Sequence, residues 1–457
     1  GRPADRWTGG WAGRKVILAR FTTPRMNHAY QKMNETHMAQ SDTTHTAKAE
    51  AATTSATAGV DPGPLAGIVV IDLTQIYQGP YATFMMAKAG ADVIKIEPVD
   101  GEPSRIRAKV SGGASLPMAM LNTNKRGITL NLKSQRGKDL FKAMIRRADI
   151  LVENFAPGVM DRLGLGWDVL HEINPRLIYG TGTGYGISGP DRDNLAMDVT
   201  IQAASGIMSV TGMPDGPPMR AGASIVDFLS GTHLYAGIVT ALFDRTRTGV
   251  GRLVEVSMLE TAYPTLASNM GFTYKSEGKP PPRVGNRHGG LALAPYSVYE
   301  ASDGHIAFVC VTEPHWQALL AAMGRLDAKD DPRFSTNKAR VQNLAQTDEF
   351  IESWTRTLPR KKLFALSKKH GFPAAPVRDL VEVMNDPHMH ARGALEWFDD
   401  AELGHVVLPT SPLWIHGTAR PKTISSPGLG QHNAQVYGDW FGYNEQDLEN
   451  LKRDGVI

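Results

Sequence analysis

The run Ile68-Val69-Val70-Ile71-Asp72-Leu73 is short, apolar and mostly β-branched, the pattern of a strand buried on both faces. Gly79-Pro80 follows and predicts a helix start, because proline at an early helical position lacks only an N–H that would go unused. Ala89-Gly90 ends that helix, and Asp92-Val93-Ile94-Lys95-Ile96-Glu97 reads as the next strand. Strand, helix and strand within about 30 residues form a βαβ unit with parallel strands. The pattern repeats as a strand over Ile128–Leu132, a helix over Gly137–Arg147, a strand at Ile150-Leu151-Val152 and another at Leu177–Thr181. This alternation predicts an α/β chain with a doubly wound, Rossmann-like large domain over residues 63–274.

A polar, Pro-rich stretch at Lys275–Pro282 reads as a linker, taken as 275–284. Strand patterns at Tyr296–Tyr299 and Ile306–Val311 follow, with helical patterns near His315–Met323, Asp348–Thr357 and Lys361–His370. They predict a smaller α/β domain over 285–392, leaving 393–457 as a C-terminal segment. Gly180, Gly182, Gly184 and Gly186 alternate like a phosphate loop. However, Ser188-Gly189-Pro190 and no helix come next, so the nucleotide-loop context fails and close packing or a bend beside a ligand is the expectation. No G-x-x-x-x-G-K-[ST] points to ATP chemistry.

Of the 457 residues, 42% are hydrophobic and 21% charged, ordinary for a globular protein. A net charge of +3 is too small to argue for nucleic acid as a partner. The single cysteine, Cys310, excludes an internal disulfide and fits a reducing, cytoplasmic compartment. Its apolar surroundings predict an inert, structural thiol. No uninterrupted apolar run approaches the ~20 residues that span a bilayer, so no membrane is expected as a partner. Residues 40–60 are rich in Thr, Ala and Ser without apolar period, and 1–62 are read as a disordered extension. Upstream of that tract, Arg2, Arg6, Arg14, Lys15, Arg20 and Arg25 face only Asp5. Such a start fits a transit peptide, but its weak amphipathic pattern favours a tag, an extension or a misassigned start, with Met33 or Met38 as initiator. Neither H-E-x-x-H nor C-x-x-C occurs, and His388 and His390 are spaced i, i+2, off a common helical face. No metal is expected.

Chemistry concentrates around Asp227. It lies between the permissive Arg220-Ala221-Gly222-Ala223-Ser224 and a helical run marked by Leu234, Ile238 and Leu242. No basic residue follows within several positions, so a surface ion pair is ill placed and a nucleophilic role is well placed. The residues alone also allow a helix N-terminal aspartate that complements the macrodipole. Similarly, Asp198 reads from the residues alone as a helix cap with Gln202 one turn on.

Together with Gly79-Pro80, Asn122-Thr123-Asn124-Lys125-Arg126, Glu153-Asn154-Phe155 and Gly285-Asn286-Arg287-His288, the Asp227 block resembles the class III CoA-transferases, typified by the formyl-CoA and carnitine enzymes. The resemblance runs from about Leu65 to the C-terminus. It implies a chain that returns to the large domain after 392, and an interlocked homodimer. It implies transfer of CoA from an acyl-CoA donor to a carboxylic acid, with Asp227 as nucleophile and an aspartyl-CoA thioester as intermediate. No tightly bound cofactor is expected, with the CoA thioester as substrate.

By the same resemblance Ile76, Leu130, Lys133, Asn154, Phe155 and Arg162 hold CoA, with phosphate contacts expected from Arg105 and Arg107 and from the Asn124-Lys125-Arg126 cations. Tyr77, Asp198, His288, Gly289 and Gly290 are the further active-site candidates, the two glycines as a mobile loop that lends N–H groups to an oxyanion. Tyr77 replaces a glutamine of the formyl enzyme and Pro98 an arginine, so the acids and the phosphate contacts are expected to differ. Two alternatives remain. An α-methylacyl-CoA racemase-like enzyme would carry histidine before the acid at Asp198, where this chain has Met197. A non-catalytic CoA-binding protein would not require Asp227 or the glycine loop.

Overall fold

In the computed structural model, residues 63–106, 115–418 and 420–457 are described; the N-terminal extension and Arg107 lie outside them. Six strands form one parallel sheet: β1 (Val69–Asp72), β2 (Asp92–Glu97), β3 (Arg126–Thr129), β4 (Ile150–Glu153), β5 (Ile178–Thr183) and β6 (Leu253–Ser257). Their order is β3-β2-β1-β4-β5-β6, the doubly wound arrangement in which the winding reverses between β1 and β4. Successive residues of each strand feed opposite faces. Ile71, Ile94, Ile128 and Leu151 pack on one side with Phe141 and Met144, and Val70, Val93, Ile150 and Ile178 on the other with Met86, Leu234 and Ile238. Both faces are therefore covered, which is why the strands read as nearly unbroken apolar runs.

Four helices position the site: α1 (Gln78–Lys88), α2 (Gln135–Ile145), α3 (Asp198–Ala204) and α4 (Ile225–Thr248). Helix α4 is long and apolar enough to cross a membrane by length and composition, but Leu234, Ile238 and Ala241 pack on the sheet. Close approach depends on glycines: a Cβ on Gly180 would lie 2.5 Å from Ile238, and one on Gly237 2.8 Å from Val254. The alternating glycines are thus packing positions. The strand expected at Ile128–Leu132 lies two to three residues earlier, where Arg126 pairs with Ile94; β6 was not anticipated.

Beyond the helix at Ala267–Lys275, the antiparallel strands β7 (Tyr296–Ala301), β8 (Gly304–Val309) and β9 (Ala374–Pro376) form a second sheet. Its core holds Phe308, Trp316, Leu319, Ile351, Leu363 and Phe372. Cys310 is buried there, and burial pushes its thiol up to about 12, consistent with an inert role. The hairpin of β10 (Leu395–Asp400) and β11 (Gly404–Pro409) follows. The C-terminal helices then dock on the large sheet, where Tyr437 Oη donates to Thr129 O at 2.7 Å and Asn131 N donates to Val456 O at 2.8 Å.

Candidate active site

Where β1 and β4 part, Asn154 closes the gap: its amide oxygen accepts from Gln75 N at 2.8 Å and its nitrogen donates to Gln75 O at 2.9 Å. Ligands of doubly wound sheets bind at this reversal, beyond the carboxyl ends of the strands. Two cavities open here and share Gln75 and Phe155, forming one trough. The first, about 440 Å³, is lined by Ile76, Tyr77, Gln78, Gly182, Gly184, Arg192, Met197 and Asp227 among others. The second, about 460 Å³, runs to Pro98, Leu130, Lys133 and Arg162.

Asp227 is the third residue of α4 and only 8% exposed. No cation pairs with it among the described residues. Asp198 supports it from the start of α3: Oδ2 accepts from Val226 N at 2.8 Å and Asp227 N at 3.3 Å, satisfying free donors of the α4 first turn. The other oxygen accepts from Gln202 Nε2 at 2.5 Å, and Gln202 Oε1 accepts from Ala221 N at 2.9 Å. Asp198 therefore fixes the start of α4, and the buried Gln202 ties in the preceding loop. Burial, reinforced by the negative charge of Asp198, pushes the Asp227 carboxyl up to about 7.

The loop into α1 forms the opposite wall. Ile76 has φ 67°, a left-handed conformation costly for a β-branched residue, of order 1–3 kcal/mol. Its N–H donates to Glu102 Oε2 at 3.2 Å, and Glu102 is paired with buried Lys95 at 3.3 Å. Tyr77 stacks on Phe228, the residue after Asp227, with ring centres 6.0 Å apart. At the far end Leu130 is buried in the floor, while Lys133 and Arg162 are exposed and without an ion-pair partner among the described residues. Unpaired cations over an apolar floor suit phosphates and a base.

Other candidates are placed elsewhere. Lys125 is buried and pairs with Asp72 at 2.9 Å, Arg126 pairs with Asp92 at 2.5 Å, and Asn124 bonds Lys88 and Lys422 O. These cations are consumed by the fold, so the expected phosphate role is corrected. Arg105 holds Glu97 in a two-pronged pair and lines a separate depression with Ser115 and Gln431. His288 packs against Tyr296, its Nδ1 accepts from Gly290 N at 3.1 Å, and Gly289 faces Asn269. None of these three lines the Asp227 cavity in this chain. Arg287 pairs with Asp348 at 2.8 Å, and Arg220 bonds neighbouring carbonyls. Missed from sequence were Gln78 and Arg192. A glutamine directly before Gly79-Pro80, opening an apolar helix, was the available signal for the first.

Residues 65–433 match the model of CoA-transferase family III. The formyl-CoA:oxalate CoA-transferase of Streptomyces avermitilis is 38% identical over 86% of this chain and 99% of its own length. The acetyl-CoA:oxalate CoA-transferase of Acetobacter aceti is 37% identical over 84% and 97%. The succinate–glutarate CoA-transferase of Agrobacterium fabrum is 34% identical over 82% and 95%. Among solved structures, a CaiB/BaiF family protein from Brucella suis superposes with a TM-score of 0.73 at 32% identity, covering 83% of this chain and 99% of that one. The α/β architecture, the extent of these matches and the trough agree: this chain belongs to CoA-transferase family III and is a CoA-transferase acting on CoA thioesters.

Proposed function

We propose that the chain moves CoA from an acyl-CoA to a carboxylic acid through covalent intermediates on Asp227. The observation that carries this reading is a buried carboxylate without a counter-ion among the described residues, set in a trough whose other end bears Lys133 and Arg162, likewise unpaired among them. An Asp227 oxygen attacks the thioester carbonyl, the C–S bond breaks, and a mixed anhydride and CoA thiolate form. The thiolate then attacks the aspartyl carbonyl, freeing the donor acid and leaving an aspartyl-CoA thioester. The acceptor carboxylate runs the two steps in reverse. Low polarity around an unpaired carboxylate favours attack over solvation, and exclusion of water protects both intermediates from hydrolysis.

Leu130, Lys133, Phe155 and Arg162 hold the CoA; Asn154 fixes the Gln75 turn beneath it, and Ile76 shapes the wall. The relatives' names include oxalate and glutarate. Arg192 at the cavity wall uses its Nε in an exposed pair with Asp193 at 3.2 Å and keeps its terminal nitrogens for a second carboxylate, so dicarboxylic acids are the acceptor class proposed. Racemisation is disfavoured, because Met197 cannot take a proton and no histidine lines the cavity among the described residues. A homodimer is proposed from exposed aromatic groups at Phe243, Tyr263 and Tyr274, and a cytoplasmic location from the lone buried cysteine. Acyl-CoA followed by hydroxylamine should convert Asp227 to its hydroxamate, located by peptide mass mapping. Modification at another carboxylate instead would overturn the assignment.

A further inference from the structure

Among the described residues, the Asp227 cavity is lined by a buried side-chain amide whose nitrogen the fold leaves unused. Gln78 is 4% exposed, lines the same cavity as Asp227, and its Nε2 is buried with no hydrogen-bond partner. A buried amide nitrogen left in this state is costly, so the position calls for a ligand acceptor. Its surroundings are built to hold it. Gly182, at the end of β5, leaves room where a Cβ would lie 2.8–2.9 Å from the Gln78 amide atoms. Gly231 is one turn beyond Asp227 on the same face of α4, and the Gln78 carbonyl sits against it so closely that no Cβ fits. The residue is the first of α1, whose N-terminal end carries positive dipole. A packed amide donor thus lines the same cavity as the attacking carboxylate, from across the helix crossing.

When a carboxylate adds to a thioester, the carbonyl oxygen gains the charge that the nucleophile loses, and it needs a fixed donor in a dry site. We propose that the Gln78 side-chain amide is that donor, binding the oxyanion formed as Asp227 attacks and again when the CoA thiolate attacks the aspartyl carbonyl. This rests on Asp227 as nucleophile. Gln78 takes no proton and forms no covalent bond; it donates an N–H to the oxygen and keeps it as the tetrahedral species collapses. Substrate binding changes little, because an uncharged carbonyl is a weaker acceptor than the oxyanion.

The test is the rate at which acyl-CoA modifies Asp227, followed by quenching and peptide mass spectrometry, in the full chain and in Gln78→Leu and Gln78→Ala. Leucine keeps the volume without the donor, and alanine guards against leucine displacing α1. Acyl-CoA affinity by calorimetry and thermal melting accompany each variant. The expected result is labelling of Asp227 slowed about 10²–10³-fold in a variant whose affinity stays within about twofold of wild type. A variant that binds acyl-CoA normally and labels Asp227 within about threefold of the wild-type rate overturns the inference and leaves the nucleophile intact. Equal losses of rate and affinity in both variants also overturn it, since they mark a packing role. Wild-type protein that never labels at Asp227 removes the nucleophile reading and this inference with it.

Discussion

Two buried aspartates flank the reversal of the sheet, Asp72 at the end of β1 and Asp227 in the first turn of α4. Burial alone would push both carboxyls up. At Asp72 that effect is more than offset by Lys125 at 2.9 Å, by Lys95 and by the Thr74 and Thr83 hydroxyls, and the group falls to about 2. Asp227 has no cation among the described residues, and the nearby Asp198 adds to burial, so it rises to about 7. Depth is similar; company differs. The first carboxylate ties β1 to α1 and β3 through Lys125, which also bonds Pro80 O and Thr83. The second is left with unspent reactivity.

The largest expected effect separates their roles. Asp227→Asn should reduce CoA transfer by at least about 10⁴-fold, read as loss of new thioester by mass spectrometry, while the protein still melts cooperatively. Asp72 is tested through its partner. Lys125→Met strands a buried charge and should cost about 3–5 kcal/mol in chemical denaturation, and adding Asp72→Asn should recover much of that loss. No destabilisation by Lys125→Met would erase the contrast.

A smaller effect concerns pH. Only ionised Asp227 attacks, so kcat/KM should rise with pH to a plateau above about 7. Asp198→Asn keeps an oxygen for the Val226 and Asp227 N–H groups and removes the charge. Its profile should shift to lower pH, and an unchanged profile would show that Asp198 acts only as a cap. The smallest effect is on stability. The folded value of Asp227 lies above the unfolded value of about 4, so its contribution is greatest below pH 4. It falls as pH climbs to about 7, where the unfolded chain holds the charge more easily. Asp227→Asn should therefore melt a few degrees above wild type at pH 8, and the gap should close towards pH 4.

How legible each aspartate was follows from how local its determinants are. The strands β1 and β2 announce themselves through β-branched runs, and α1 through Gly79-Pro80. β3 is harder, because Arg126 and Gly127 enter the sheet through pairing with Ile94 and Lys95, which only the neighbouring strand dictates. The placing of Asp227 at the start of an apolar helix was readable from its motif, and the Asp198–Gln202 contact from helical spacing. The fate of Lys125 was not: its partner is 53 residues away in sequence, and a cation next to Arg126 looks free until the sheet is assembled. Arg105 misled for the same reason. Its carboxylate, Glu97, is close in sequence, but their pairing depends on the turn between them and on Pro427. Gln78 could be placed at the start of α1 from Gly79-Pro80, but not recognised as unpaired, since an amide's lack of partners is a property of the packed site.

The trough straddles the point where the winding of the sheet reverses, and this divides the molecule's labour. Groups at the Lys133 end come from the loops after β2 and β3 and from the segment after β4; those around Asp227 come mainly from the segments after β5 and β6 and from α4. The two sets meet at Gln75 and Phe155. A lineage built this way can exchange the acid it handles by rewriting one half of the domain while the other half goes on gripping the same carrier. Directed evolution towards new acceptors should accordingly gather its changes between Gly182 and Met258 and leave Leu130 and Lys133 untouched.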